Sequence, residues 1–152
     1  MTDPIALDAR TPRHSLPLLY PGQAQKEVFV NEALARLDAV AQPVVLASRA
    51  APPPSHAAGD TYLVVEPATD EWSGQEDRLA ISQETHWVFQ SPFEGMRIYD
   101  REQAAIRLWR DGWSDPQSVP DPAGGANIDT EARGAIATLL LCLRSLGILP
   151  AN

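Results

Sequence analysis

Cysteine and long apolar runs are scarce in this 152-residue sequence. The single cysteine, Cys142, excludes a disulfide within the chain, so the fold does not depend on an oxidising compartment. The longest apolar run, near Leu139 to Leu143, is far shorter than the roughly 20 residues that cross a bilayer. The first residues lack a basic region followed by an apolar stretch, so we expect no secretion signal. These absences predict a soluble protein without membrane insertion.

Basic side chains are outnumbered by acidic ones. The formal net charge is −8 at pH 7, and residues 51–120 hold 12 acidic and 5 basic side chains. An acidic middle region repels phosphate backbones, and no stripe of lysine or arginine offsets it. We therefore predict that nucleic acid is not a partner.

Residue types that serve in active sites are present, but not in the patterns that catalysis requires. His14, His56 and His86 have no cysteine or carboxylate at metal-ligand spacing. Ser15 follows His14 in an extended stretch, where neighbouring side chains point in opposite directions. The acidic pairs at 70–71 and 76–77 lack the alternating oxygen ligands of a calcium loop. We predict no catalytic residue, no metal, no cofactor and no enzymatic activity.

A proline-bounded arm leading into an amphipathic helix dominates the first third of the chain. Pro17 and Pro21 favour an extended backbone, Gly22 makes a turn, and good helix formers follow from about Gln23 until Pro43. Apolar residues recur in this helix at the three/four spacing of a single stripe. They are Val30, Ala33, Leu34, Leu37, Val40, Ala41 and Val44. The residues before the arm, 1–14, are either a frayed terminus or a peptide that orders on a neighbouring subunit.

The middle of the chain has the period-two pattern of short strands. After a possible strand at 44–46 and a proline-rich linker at 50–55, alternating segments occur at 60–65, 78–82, 87–90, 96–100 and 105–110. Asp111-Gly112 is a suitable hairpin turn, because both residues tolerate positive φ. Five or six strands at this spacing indicate a small antiparallel meander.

A second linker, 116–127, is rich in proline and glycine and precedes a C-terminal helix at 128–152. Asp129 or Thr130 can cap its first turn, and Gly147 can end it in a left-handed conformation. The predicted fold is therefore α+β, with an extended arm at 1–14 and a helix plus β-meander domain at 15–115. The linker and the C-terminal helix complete the chain.

The C-terminal helix has an apolar face with coiled-coil spacing. Ile136, Leu139, Leu143 and Leu146 follow alternating steps of three and four residues. This face either folds back on its own sheet or meets copies of itself, and we favour these four residues as oligomer contacts. Cys142 lies on the same helix, so we expect a buried, unreactive thiol.

Four tryptophans lie in or beside the β region. Trp87 and Trp109 lie inside predicted strands, which favours core packing. Trp72 and Trp113 lie at turns, where a ring can either pack in the core or present a face to a sugar. Trp72 and Trp113 are therefore candidate glycan contacts.

The arm and first helix also carry motifs that resemble a family. The motifs are Leu16-Pro17, Gly22-Gln23-Ala24-Gln25-Lys26, Asn31-Glu32-Ala33-Leu34 and Leu37-Asp38. They are similar to the opening signature of a domain-of-unknown-function family found in alphaproteobacterial phages, prophages and gene transfer agents. The similarity continues more loosely through Gly59-Asp60-Thr61-Tyr62 to Trp113. In that family the domain occurs in tail-fibre-like and head-spike-like proteins.

The resemblance implies a non-enzymatic component of a virion or phage-like particle, assembled in the bacterial cytoplasm. Such a protein would be the adaptor or base of a head spike or tail fibre. Its partners would be its own copies, as a pentamer on a capsid vertex or a trimer in a fibre, together with capsid or tail proteins and a fibre protein. The alternative is a carbohydrate-binding module that recognises host capsule or lipopolysaccharide directly.

Overall fold

The computed structural model describes residues 10–12, 14–19, 26–83, 85–125 and 129–150. Within these ranges the chain forms two α-helices, with seven short strands between them in sequence. The predicted α+β class is therefore confirmed. The helices are α1 (Lys26–Val40) and α2 (Thr130–Ser145). The strands are β1 (Val44–Val45), β2 (Ser48–Arg49), β3 (Thr61–Val64), β4 (Leu79–Gln83), β5 (His86–Gln90), β6 (Arg97–Asp100) and β7 (Ala105–Leu108). The predicted turn at Gly22 and helix start near Gln23 lie outside the described residues.

The strands form two mixed sheets rather than one antiparallel meander. One sheet has the order β1-β6-β7 and the other β2-β3-β4-β5. The segment 44–49 joins them, because β1 pairs in parallel with β6 and β2 pairs in parallel with β3. The remaining pairs are antiparallel, as the meander prediction required. The short strand predicted at 44–46 is β1, and β2 follows it directly in the segment that connects both sheets.

The main core lies between the two sheets. Val45 and Ile98 from the first sheet meet Leu63 and Leu79 from the second, and Met96 completes the cluster. Alternate residues of β3 and β4 point the other way, where Tyr62, Val64 and Ala80 pack with Trp72 of a short 3-10 turn, Asp70–Trp72. Because both faces of the second sheet are covered, all four residues of β3 are buried.

The two helices meet this framework differently. Ala39 of α1 packs against Ile81 and Val88 on the second sheet. The α2 helix joins the first sheet at its C-terminal end, where the amide of Ile106 donates to the carbonyl of Gly147 at 2.7 Å. This bond also satisfies a backbone group on the outer strand β7, which reduces the exposed sheet edge.

The predicted end signals of α2 are confirmed. Asp129 caps the helix, its carboxylate accepting from the amide of Ala132 at 2.8 Å. Gly147 has φ +66°, and the amide of Ile148 donates back to the carbonyl of Leu143 at 3.0 Å. Both contacts satisfy backbone groups that a helix leaves unpaired at its ends.

The predicted turn at 111–112 is also confirmed. Asp111 has φ +53° and Gly112 has φ +146°, and Trp109 forms an antiparallel bridge with Trp113 across the turn. Within the described residues, neither helix is long and apolar enough to cross a membrane.

Candidate functional site: two uncovered helix faces and a held arm

The predicted oligomer contacts of α2 lie on a face that the described chain leaves largely uncovered. Ile136, Leu139 and Leu146 are 45%, 59% and 66% exposed, and Leu143 is half-buried. We call this set, together with the exposed Ala132, the α2 seam. Three large apolar side chains in water along one helical face are typical of a surface that binds another protein.

A neighbouring face of α2 is the one that meets its own chain. Leu140 is the one buried residue of the helix. Arg144 donates to the carbonyl of Val119 at 2.7 Å, and Arg133 donates to the carbonyl of Gly124. The described part of the linker thus runs along α2 beside the seam, where these two polar contacts hold it. Ile136, Leu139 and Leu146 stay exposed.

The α1 helix carries a second uncovered apolar face, and part of the predicted stripe lies on it. Of the predicted stripe, Val40 packs on the core, whereas Leu37 is 52% exposed and Val30 and Ala33 are also exposed. Phe29 is 76% exposed. We call Phe29, Val30, Ala33 and Leu37 the α1 stripe.

The inward face of α1 is polar and small instead, because it holds the arm. Asp38 is buried, and its Oδ1 accepts from the Thr11 hydroxyl at 2.7 Å and from the His14 amide at 2.7 Å. The His14 ring places Nδ1 3.0 Å from the same oxygen. Further along, the Asn31 amide group makes two hydrogen bonds with the backbone of Leu19. Thr11, His14 and Leu19 are thereby fixed to α1 of their own chain.

Sequence reasoning missed Asp38 and Asn31, although their spacing contains a signal. The two residues are seven positions apart, so they lie on one face of the helix. A carboxylate is rarely buried without partners, and the periodicity argument counted only apolar residues. The hydrogen-bond partners of Asp38 and Asn31 come from the arm, a segment that shows no periodicity of its own.

The held arm, α1 and the β4–β5 hairpin enclose a cleft of about 540 Å³. Its walls include Arg10, Glu32, Gln83 and His86 beside apolar residues such as Val28. Three segments distant in sequence create it, which is why no local motif predicts it. The described residues contain no group of three His, Cys, Asp or Glu side chains that could hold a metal ion.

The two candidate glycan contacts have different environments. Trp72 is 0% exposed and packs edge-on against Trp87 with ring centroids 5.1 Å apart, so of its two alternatives it takes core packing and presents no face to a sugar. The 3-10 turn directs this ring into the sheet rather than toward solvent. Trp113 is half-buried against Trp109, and its Nε1 donates to the carbonyl of Asp77 at 2.8 Å. Only Trp113 keeps part of its surface accessible.

Cys142 is exposed, which corrects the prediction of a buried thiol. Its helix is the most apolar in the sequence, but most of that apolar surface faces outward.

His56 places Nδ1 2.7 Å from the buried Ser82 hydroxyl and packs on the Trp87 ring, 4.5 Å away. Ser82 is a buried residue of β4, so this contact fixes the His56 ring on the second sheet.

A buried ion pair lies within the first sheet, and its arginine also reaches the second sheet. Arg107 places Nη1 3.7 Å from Asp100 Oδ2 and donates to the Ser48 hydroxyl at 3.1 Å. The other carboxylate oxygen of Asp100 accepts from the amides of Glu102 and Gln103, which close the β6–β7 turn. Sequence analysis did not identify this pair, since its residues occur on different strands.

Comparison with known proteins gives one family. The model of the family described as "Protein of unknown function (DUF2793)" matches residues 30–114, which is more than half of the chain. The match includes Asn31 to Asp38 and the strands, and it leaves the earlier motifs from Leu16 to Lys26 outside. No curated protein matches the sequence.

Proposed function

The chain belongs to the DUF2793 family of proteins of unknown function, and from that premise we propose that it is a non-enzymatic structural component of a phage or gene-transfer-agent particle. In this proposal it is the adaptor or base of a head spike or tail fibre and helps the particle attach to the host surface. The resemblance of its opening motifs supplies the particle context. The helical surfaces supply the physical basis for assembly.

The observation that carries the proposal is the uncovered α2 seam. Removing a leucine or isoleucine side chain from water stabilises a protein or complex by about 1.5–3 kcal/mol. Ile136, Leu139 and Leu146 are all on one face and all exposed. A contact between copies would bury them together, and a short helix supported by a folded domain is pre-organised for that contact.

The apolar seam carries less of the charge that opposes self-association over the rest of the surface. The chain has a net charge of −8, so copies repel one another over most of their surface. The α2 helix has one acidic residue, Glu131, in its first turn, and both of its arginines are engaged by the linker. The large apolar residues of the seam, Ile136, Leu139, Leu143 and Leu146, carry no charge themselves, and Glu131 lies at the start of the helix.

The rotational symmetry of the assembly depends on where in the particle the protein is located. A capsid vertex offers five equivalent sites, and a fibre normally has three strands. A head-spike base would accordingly be a pentamer and a fibre adaptor a trimer. Its other partners would be capsid or tail proteins and a fibre protein.

The first test is the absolute mass in solution by light scattering at tens of micromolar. We expect several copies for the wild type and a monomer for Leu139→Glu, because a buried unpaired carboxylate opposes the contact. Leu141→Glu is the matched control, since Leu141 is exposed on α2 outside the seam. A monomeric wild type, or equal effects of the two variants, contradicts self-association through this face.

The second test concerns the particle. Deletion of the gene should give particles without spikes or fibres in electron micrographs, and complementation with Leu141→Glu but not Leu139→Glu should restore them. Unchanged particles after deletion contradict a structural role. A glycan-binding assay separates the alternative function: binding by the isolated protein that Trp113→Ala removes, with assembly intact, favours a carbohydrate-binding module.

A further inference from the structure

Two different apolar helix faces are uncovered in the same chain. Together they indicate which surfaces meet when copies associate. The α1 stripe and the α2 seam are on helices of 15 and 16 residues. At 1.5 Å per residue both helices extend about 22–24 Å, so either can lie along the full length of the other. A contact of α2 with the α2 of another copy would leave the α1 stripe in water.

We infer that the α1 stripe of one copy covers the α2 seam of the next, so that the protein assembles head to tail. This inference rests on the self-association in the proposed function and names its surfaces. One repeated contact of this kind covers both apolar faces. Head-to-tail contacts close into a ring when the rotation between neighbours is an exact fraction of a turn, and otherwise continue as a filament.

Charge complementarity favours the pairing of α1 with α2. Lys26 is exposed on the same side of α1 as the stripe, four residues before Val30. Glu131 is exposed in the first turn of α2, at the edge of the seam and one helical turn before Ala135. When the two helices lie parallel, the lysine and the glutamate meet at the same end. Parallel pairing of either helix with its own copy would instead bring like charges together.

The test uses two variants, each with one face blocked. Leu37→Glu blocks the stripe and leaves the seam intact, whereas Leu139→Glu blocks the seam and leaves the stripe intact. We expect each variant alone to be a monomer and an equimolar mixture to form a one-to-one heterodimer, because the mixture retains one complete contact. Native mass spectrometry and light scattering measure both outcomes.

Controls separate this contact from general effects on the fold. Val28→Glu and Leu141→Glu change exposed apolar residues outside the two faces and should leave the wild-type assembly unchanged. Circular dichroism checks that each variant is folded, and Phe29→Glu with Leu146→Glu provides a second blocked pair. Because all these positions are exposed, the variants should fold.

Three outcomes overturn the inference. If Leu37→Glu still assembles while Leu139→Glu does not, the seam meets its own copy and the stripe has no part in it. If both variants are monomeric and their mixture is also monomeric, the two faces do not meet. If the wild type is monomeric, both this inference and self-association fail, whereas in the first two cases only the head-to-tail contact fails.

Discussion

The backbone of Gly147 lies directly against the ring of Tyr99. A Cβ atom at position 147 would be 2.7 Å from Tyr99 Cε2, closer than a carbon atom can approach without displacing the ring. The same glycine has a left-handed φ of +66°, and its carbonyl oxygen accepts a hydrogen bond from the Ile106 amide. One residue therefore ends α2 and joins it to the β6–β7 hairpin.

Substitution of Gly147 by alanine should loosen this junction. We expect a loss of about 1–3 kcal/mol in the free energy of unfolding, because a left-handed conformation and a close contact both disfavour the added methyl group. Urea unfolding measures the loss. Gly124→Ala is the control, since Gly124 has a φ of +75° with nothing within 4 Å of its Cβ position. Equal losses at both positions would contradict a role for the Tyr99 ring.

Removal of the Asp38 carboxylate should release the arm. In Asp38→Ala the hydroxyl of Thr11 and the amide of His14 lose their acceptor, and we expect a loss of about 2–3 kcal/mol in unfolding free energy. Hydrogen exchange should become faster at the amides of Thr11, His14, Ser15 and Leu16. Glu32→Ala is the control, because the exposed pair of Glu32 with Arg36 contributes less than about 1 kcal/mol. Unchanged exchange in the arm would show that Asp38 does not hold it.

The two turn tryptophans should differ in their effect on stability. Trp72→Ala removes a fully buried ring and should lower the unfolding free energy by about 3–5 kcal/mol. Trp113→Ala removes a half-buried ring and should cost less, so it is the variant suited to binding assays. Chemical unfolding followed by circular dichroism compares them. A Trp72→Ala protein as stable as the wild type would contradict its place in the core.

Tyr62 should keep its proton to unusually high pH. Burial raises the pKa of its hydroxyl above the ordinary 10.0, Asp60 raises it further, and Arg49 lowers it in part. The unfolded chain releases this proton at lower pH than the folded chain. The stabilising contribution is therefore complete below pH 10.0 and is lost as the pH rises through the folded-state pKa.

Ultraviolet absorbance of tyrosinate follows this titration. Tyr62→Phe should remove the part of the curve at the highest pH and leave the ionisation of the other tyrosines. It should also reduce the fall in unfolding free energy above pH 10. A variant whose curve keeps its high-pH part would show that another tyrosine is responsible.

Local signals predicted much of the secondary structure. The alternation of apolar and polar residues predicted where the strands lie, because a strand that covers a core needs β-branched and aromatic residues at regular positions. The ends of α2 were predictable from Asp129 and Gly147, since each acts on backbone groups within its own turn of the helix. The parallel pairing of β1 and β2 was not predictable, because these contacts join segments far apart in the chain.

The sequence by itself determined where the helices, strands and turns occur and that α2 has an apolar seam, because these properties depend on residues within a few positions of one another. Only the tertiary structure decided which surfaces are covered. It buried Trp72 beneath a sheet, turned Asp38 toward the arm and left Leu37, Leu139 and Cys142 outside. Burial depends on what a distant segment brings to a surface, and periodicity along one helix carries no information about that segment.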